Sequence, residues 1–425
     1  MATYSFVTLG CRLNQAESDG MAEDLDDAGW QRGEGDPDLV VVNTCTVTRE
    51  ATKASRSALR RAVRDHPGAR VVAIGCYAES DPDEVAAIDG VDVVLGNRAK
   101  EDLLTSLGDA HLTPLLQIAP PRATTGPVKV RANLKAQTGC DEWCSFCIIP
   151  RTRGPLRSMD EDDLVAEARR RVAAGARELV LTGVHLGKYR FDRGGDERDL
   201  IRLFERLLAI DGVLRLRLSS ILSDHLTDEV IATIAREPRI CRYLHVPLQS
   251  AHDDVLAAMN RPYRIARYLE RVEAAQAAIE GLALATDIIV GFPGETEEHF
   301  ETTMDVVRRV GFSKLHVFRY SPRAQTAAAT MGDSVHPDVK RARSKRLIAL
   351  GNELRRRFLD AHLGTPIEVL VEDERVVDGA SVCSGQTSDY VRAWFEGEGL
   401  LGRLVHVVGD EVRADGIRGA TLVHA

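Results

Sequence analysis

The 425-residue chain is long enough for two or three domains with large cores. Its 44% hydrophobic and 28% charged residues match a globular composition, and no apolar run approaches the roughly 20 residues of a membrane span. A net charge of −9 argues against a uniformly basic nucleic-acid binder, so any anionic partner must be met by local patches.

The amino terminus enters a strand at once, leaving no room for a signal segment, and a cytoplasmic protein with no membrane association is expected. Residues 1–112 alternate apolar runs with helical patterns. Strands are predicted over 4–8, 39–42, 71–74 and 93–95, and helices over 15–27, 51–65 and 82–88. This βα order implies a parallel α/β sheet domain. Pro114, Pro120, Pro121, Gly126 and Pro127 mark 111–128 as a linker.

A second βα series fills 129–358. Strands are predicted over 130–135, 179–182, 214–219, 243–246, 282–290 and 314–318, with amphipathic helices such as 161–174 and 296–310 between them. Six such units suggest a partial (β/α)6 barrel. A helix over 338–358 carries Leu347, Leu350, Leu354 and Phe358 on one stripe and basic residues on its other faces. Short strands over 367–371, 390–394 and 404–408 then predict a small carboxyl-terminal β-barrel, 362–425.

Two runs are basic. Arg49, Lys53, Arg56, Arg60, Arg61 and Arg64 form the first, with Lys53, Arg56, Arg60 and Arg64 along one helix face. Lys340, Arg341, Arg343, Lys345 and Arg346 form the second. Such runs are usually solvated faces, but two in an acidic chain raise the prospect of an anionic partner.

Eight cysteines in a chain without a secretory segment favour metal or redox chemistry over disulfides. Cys140, Cys144 and Cys147 form C-x-x-x-C-x-x-C, which can hold three irons of a 4Fe-4S cube and leave the fourth open. A zinc knot is the rival, although the loop offers no fourth Cys or His. Cys11, Cys45 and Cys76 each lie just past a predicted strand. Neighbouring strands are about 4.8 Å apart, so the three thiols can converge on a second cluster, or on zinc. Gly10 and Gly75 would let the backbone turn beside them. Cys241 and Cys383 have no such context and read as packing residues or loosely exposed thiols rather than ligands. At the ends of the second set of strands stand Gly183, Ser219, Ser220, Gln249 and Gly291, a ring of small and hydrogen-bonding groups suited to a nucleoside and an amino-acid zwitterion. Asp287 reads equally well as part of that ring or as a structural carboxylate.

Taken together, these residues resemble the methylthiotransferases of the radical S-adenosylmethionine (SAM) superfamily over nearly the whole chain. The match includes Phe146 before the last loop cysteine and a segment, Gly385-Gln-Thr-Ser-Asp-Tyr-Val391, similar to a strand of the TRAM domain. The resemblance implies an amino-terminal parallel α/β domain, a radical SAM partial barrel and a TRAM-like β-barrel. It implies two 4Fe-4S clusters, an auxiliary one on Cys11, Cys45 and Cys76 and a SAM-binding one on Cys140, Cys144 and Cys147. It further implies SAM at Gly183, Ser219, Ser220, Gln249 and Gly291, and an electron donor such as a flavodoxin or ferredoxin. The runs Gly10-Cys-Arg-Leu-Asn-Gln15, Asn43-Thr-Cys-Thr-Val-Thr48 and Arg215-Leu-Arg-Leu-Ser-Ser-Ile221 are most similar to the branch acting on N6-threonylcarbamoyladenosine at position 37 of transfer RNA, in the anticodon loop. The alternatives within the family are isopentenyladenosine in transfer RNA and a ribosomal-protein aspartate.

Overall fold

A computed structural model describes residues 2–33, 35–109, 129–332 and 334–422; the linker expected at 111–128 lies outside them. The chain forms two compact units. One comprises the described residues up to 109 with 138–143 and 147–157. The other comprises 129–137, 144–146 and 158–422.

The first unit is built on a five-stranded sheet: β1 (Thr3–Thr8), β2 (Gln31–Arg32), β3 (Leu39–Thr44), β4 (Arg70–Gly75) and β5 (Val93–Leu95), in the order β2-β1-β3-β4-β5. All pairings are parallel. Central β3 is buried along its whole length, as its Leu-Val-Val-Val run requires of a strand covered on both faces. On one face Tyr4, Val41 and Val72 meet Leu25 of α1 (Arg12–Asp27). On the other, Val40, Val42 and Val71 meet Leu59 of α2 (Arg49–Asp65). Thr48 starts α2 by accepting a hydrogen bond from the Ala51 amide at 3.0 Å. Register aligns Thr8 with Asn43 and Thr44 with Gly75, so β1, β3 and β4 end level with one another. Beyond those ends α3 (Cys76–Ser80) follows β4 directly, α4 (Pro82–Ala86) comes next, and α5 (Leu103–Asp109) closes the domain. The predicted helix over 82–88 is this shorter α4.

The second unit contains β6 (Arg131–Lys135) and, after the two-residue strands β7 (Gln137–Thr138) and β8 (Arg157–Ser158), β9 (Glu178–Thr182), β10 (Arg215–Leu218), β11 (Tyr243–His245), β12 (Ala283–Val290) and β13 (Lys314–Arg319). Parallel pairing gives two three-stranded sheets, β10-β9-β6 and β11-β12-β13, joined by single bridges at Leu216–Ile240 and Ser220–His245. This is the expected six-stranded partial barrel, with one continuous core that includes Leu134, Leu181, Leu216, Leu244 and Ile288.

The helix predicted over 338–358 spans Pro337–Asp360 and buries Leu347, Leu350 and Leu354. Its basic residues do not all occupy the outer faces: Lys340 and Arg343 are buried. The helix start runs past the end of β12, where Gly291 leaves room for the Lys340 stem; a Cβ there would lie 2.3 Å from Lys340 Cγ.

The carboxyl-terminal domain is a closed barrel of β14 (Pro366–Val377), β15 (Ala380–Thr387), β16 (Arg392–Glu396), β17 (Leu404–Arg413) and β18 (Gly416–Thr421), in the order β14-β15-β16-β18-β17. β18 has no predicted counterpart, and β15 is met only at its end, by the TRAM-like segment 385–391, which continues past the strand. The strand predicted from residue 390 starts at Arg392, because Tyr390 turns the chain with φ +71°. Tyr390 stacks on Tyr243 of the partial barrel with ring centroids 4.6 Å apart, and the Arg217 guanidinium sits 4.5 Å from its ring centre. Arg217 also donates to the Thr387 and Ser388 carbonyls at 2.9 and 3.0 Å. Beneath it Glu178 is fully buried and receives Arg217 Nε at 2.7 Å and Arg131 Nε at 2.8 Å. Burial opposes ionisation of Glu178, but Arg217 and Arg131 prevail and lower its pKa to about 2.

Candidate iron–sulfur and SAM sites

In the first unit, the level strand ends deliver the three thiols to one edge. Cys11 caps the start of α1, Cys45 follows β3 and Cys76 opens α3. Gly10, at φ +95°, brings the first loop so close that a Cβ would lie 2.8 Å from Cys45 Sγ. Gly75, also at φ +95°, has no room for one, since Asn43 Oδ1 and the Thr44 carbonyl would be 2.5 and 2.6 Å away. Cys45 and Cys76 are buried and Cys11 is exposed, so the edge has one open side. Burial, with Cys76 and Cys11 adding to it, pushes the Cys45 thiol up to about 11. Asn14 Oδ1 lies 3.8 Å from Cys11 Sγ, and Asn97 Nδ2 lies 3.7 Å from Cys76 Sγ. Asn97 Nδ2 also donates to the Thr152 carbonyl at 2.6 Å, while its Oδ1 is buried with no partner among the described residues.

Behind the thiols lies a buried charge cluster that the sequence reading missed. Glu17 accepts Lys100 Nζ at 2.7 Å and both terminal nitrogens of Arg153 at 2.9 and 3.1 Å. Arg153 also reaches Asn14 Oδ1 and Thr138 Oγ1. Burial alone would lower the Arg153 pKa, but Cys76, Glu17 and Cys11 reverse the direction to upward. Lys100 is pushed down by its burial. A cavity of about 550 Å³ opens beside this cluster, with Asn97, Arg153, Arg98 and Arg151 in its lining.

Cys140 and Cys147 belong to the first unit and Cys144 to the second. The Cys140 amide is anchored on the Gly154 carbonyl at 3.1 Å. Cys144 Sγ receives a hydrogen bond from Arg261 at 3.3 Å, and Arg261 is fixed by Tyr263 Oη at 2.9 Å. No spacing rule pointed to Arg261, which lies 117 positions from Cys144.

In the second unit, the residues expected around SAM follow four successive strands. Gly183 donates its amide to Ser219 Oγ at 3.3 Å. Gln249, at φ +67° and buried, bridges to β12 through its backbone, while its side-chain Oε1 has no partner among the described residues. An orphaned acceptor at a strand end fits a bound ligand that donates to it. Gly291 donates to Glu295 Oε2 at 2.7 Å. Ser220 Oγ meets His245 Nδ1, and His245 Nε2 lies 3.1 Å from Asp287 Oδ1, so Asp287 is a partnered carboxylate.

The basic runs separate. In the second run, Lys340 donates to the Tyr320 carbonyl, Arg343 is paired with Glu295 and Glu297, Arg346 with Glu297 and Glu301, and Arg341 with Asp338. Lys340 and Arg343 are thus spent inside the protein, Arg341 and Arg346 are paired at its surface, and Lys345 is exposed. In the first, Lys53, Arg60 and Arg61 are exposed, while Arg56 is held by Tyr77 and Glu84.

A parallel sheet ending in three thiols and a partial barrel with polar strand ends are an arrangement that fits the radical SAM class of enzyme. Residues 134–307 match the family model described as the radical SAM superfamily, and 3–96 match one described as uncharacterized protein family UPF0004. The chain is 38% identical to threonylcarbamoyladenosine tRNA methylthiotransferase MtaB of Bacillus subtilis, covering 96% of this chain and 93% of that protein. It is 37% identical to tRNA-2-methylthio-N(6)-dimethylallyladenosine synthase of Sorangium cellulosum, over 96% and 91% of the two chains. Among solved structures, the radical S-adenosylmethionine methyltransferase TsrM of Kitasatospora setae matches with a TM-score of 0.58 at 16% identity, over 77% of each chain, a likeness of fold. The chain belongs to the radical SAM methylthiotransferase family and is an enzyme that transfers a methylthio group; a 4Fe-4S cluster and SAM go with that family.

Proposed function

We propose that this enzyme places a methylthio group on C2 of N6-threonylcarbamoyladenosine at position 37 of transfer RNA, in the cytoplasm, using two 4Fe-4S clusters and SAM. The substrate reading is supported by the 38% identity to the threonylcarbamoyladenosine enzyme of Bacillus subtilis, and the cluster chemistry by the convergence of Cys11, Cys45 and Cys76 on the level ends of β1, β3 and β4. A soft three-thiolate donor set suits an iron–sulfur cluster and leaves a coordination position for sulfur chemistry. Cys140, Cys144 and Cys147 would hold the other cluster, with Arg261 orienting Cys144. When bound, the clusters and SAM supply the radical and sulfur chemistry. The chain's own residues bind, orient and shield. Gly183, Ser219, Ser220, Gln249 and Gly291 would contact SAM at the strand ends. Lys53, Arg60 and Arg61 are exposed cations that would meet RNA phosphates. An unstacked anticodon-loop base can present its edge without the cost of opening a duplex. A flavodoxin or ferredoxin would supply electrons. On this reading the modules run 1–112, 129–358 and 362–425.

Nucleoside mass spectrometry of transfer RNA from cells with and without the gene tests the assignment. Loss of the methylthio form of threonylcarbamoyladenosine is expected. Loss of methylthio from isopentenyladenosine, or from a ribosomal aspartate with transfer RNA unchanged, would move the enzyme to another branch of its family.

A further inference from the structure

The Arg153–Glu17–Lys100 cluster is not explained by structural pairing alone. One buried glutamate needs one cation, yet Glu17 is clamped by two, and the side chains of Lys100 and Arg153 are each 1% exposed. A buried surplus charge is costly unless an anion compensates it. Glu79 lines the same cavity and holds the Asn97 backbone amide at 2.7 Å, but the groups linked to Arg153 through shared partners are the thiols: Arg153 shares Asn14 Oδ1 with Cys11, and it follows Thr152, whose carbonyl holds the Asn97 side-chain amide that reaches Cys76. Arg153 also lies six positions beyond Cys147, so the segment carrying one cysteine set supplies a charge to the other.

Resting on the cluster assignment above, we infer that Arg153 and Lys100, clamped by Glu17, are positioning residues that supply net positive charge to the cluster on Cys11, Cys45 and Cys76, raising its reduction potential and slowing its loss. Net charge and hydrogen bonding around the sulfurs are the levers by which a protein sets such potentials. A cluster on three thiolates becomes more negative on reduction, so an adjacent fixed cation favours the reduced form.

The test uses the full chain with Cys140, Cys144 and Cys147 replaced by Ala, reconstituted anaerobically with iron and sulfide, so that a single cluster is observed. Redox titration followed by electron paramagnetic resonance then compares this parent with Lys100→Met, Arg153→Gln and Arg153→Lys. The two neutral variants are expected to lower the reduced-to-oxidised ratio at fixed potential about tenfold, equivalent to about 59 mV for one electron. Arg153→Lys is expected to stay close to the parent. Lys100→Met leaves Glu17 paired with Arg153 and decides the matter if Arg153→Gln does not fold. Neutral variants that titrate at the parental potential with parental iron content would overturn the inference alone. A parent that holds no cluster would overturn the cluster assignment too.

Discussion

Single side chains in this protein carry charges that only their partners make tolerable. Glu178 is enclosed completely between Arg217 and Arg131. Glu178→Gln leaves two buried guanidinium groups facing a neutral amide, and a loss of about 3–5 kcal/mol is expected in denaturant unfolding. The sign of the pH effect follows from its depressed pKa: the contribution is present above the ordinary 4.5 and disappears as pH falls through about 2. His362 works in the opposite sense. Its Nδ1 faces the Phe358 carbonyl at 2.8 Å and its Nε2 faces Asp389, so both nitrogens are best satisfied as donors. Burial opposes the imidazolium, but Asp389 prevails and the pKa rises above 6.5. The stabilisation is therefore complete below pH 6.5 and lost as pH climbs through the raised value. Unfolding midpoints measured across that window should fall for the native protein and stay flatter for His362→Gln.

At the level of elements, the strand ends matter more than the strands. Gly75 holds φ +95° with two oxygens where a Cβ would go. Gly75→Ala is expected to cost about 1–3 kcal/mol of backbone strain and to lower the iron retained per reconstituted chain, with far-ultraviolet circular dichroism little changed. Much of this organisation was legible beforehand. The runs at 39–42, 71–74 and 93–95 are short, β-branched and bounded by turn residues, and they became strands at or within two residues of the expected limits. By residue pattern β18 and most of β15 were not legible, because Gly385, Gly416 and Gly419 depress strand character; only the TRAM-like segment from Gly385 pointed to β15. Yet Gly385 is indispensable there, since a Cβ would lie 2.0 Å from the Leu370 carbonyl oxygen. The charge cluster behind the thiols was hidden for another reason. Its members lie 83 and 136 positions from Glu17, and no local periodicity encodes a contact made only by tertiary folding. Lys340 and Arg343 misled in the reverse direction: a basic run reads as solvated until the helix bearing it is found to cover Gly291 and Glu295.

On the scale of whole domains, the partial barrel and the carboxyl-terminal barrel share a buried seam of Tyr243, Tyr390, Arg217 and the carbonyls of Thr387 and Ser388. Calorimetry should therefore show these two domains melting together. Tyr390→Ala removes the stacking and the cation–ring contact and should cost about 2–3 kcal/mol, separating the two transitions. The level ends of β1, β3 and β4 have a consequence for biogenesis. A slip of one residue in β3 would turn Cys45 toward the opposite face of the sheet. If the proposed cluster forms there, metal uptake doubles as an inspection of how the polypeptide was woven: a misthreaded copy is expected to take up one cluster's iron where a correctly assembled one takes up two.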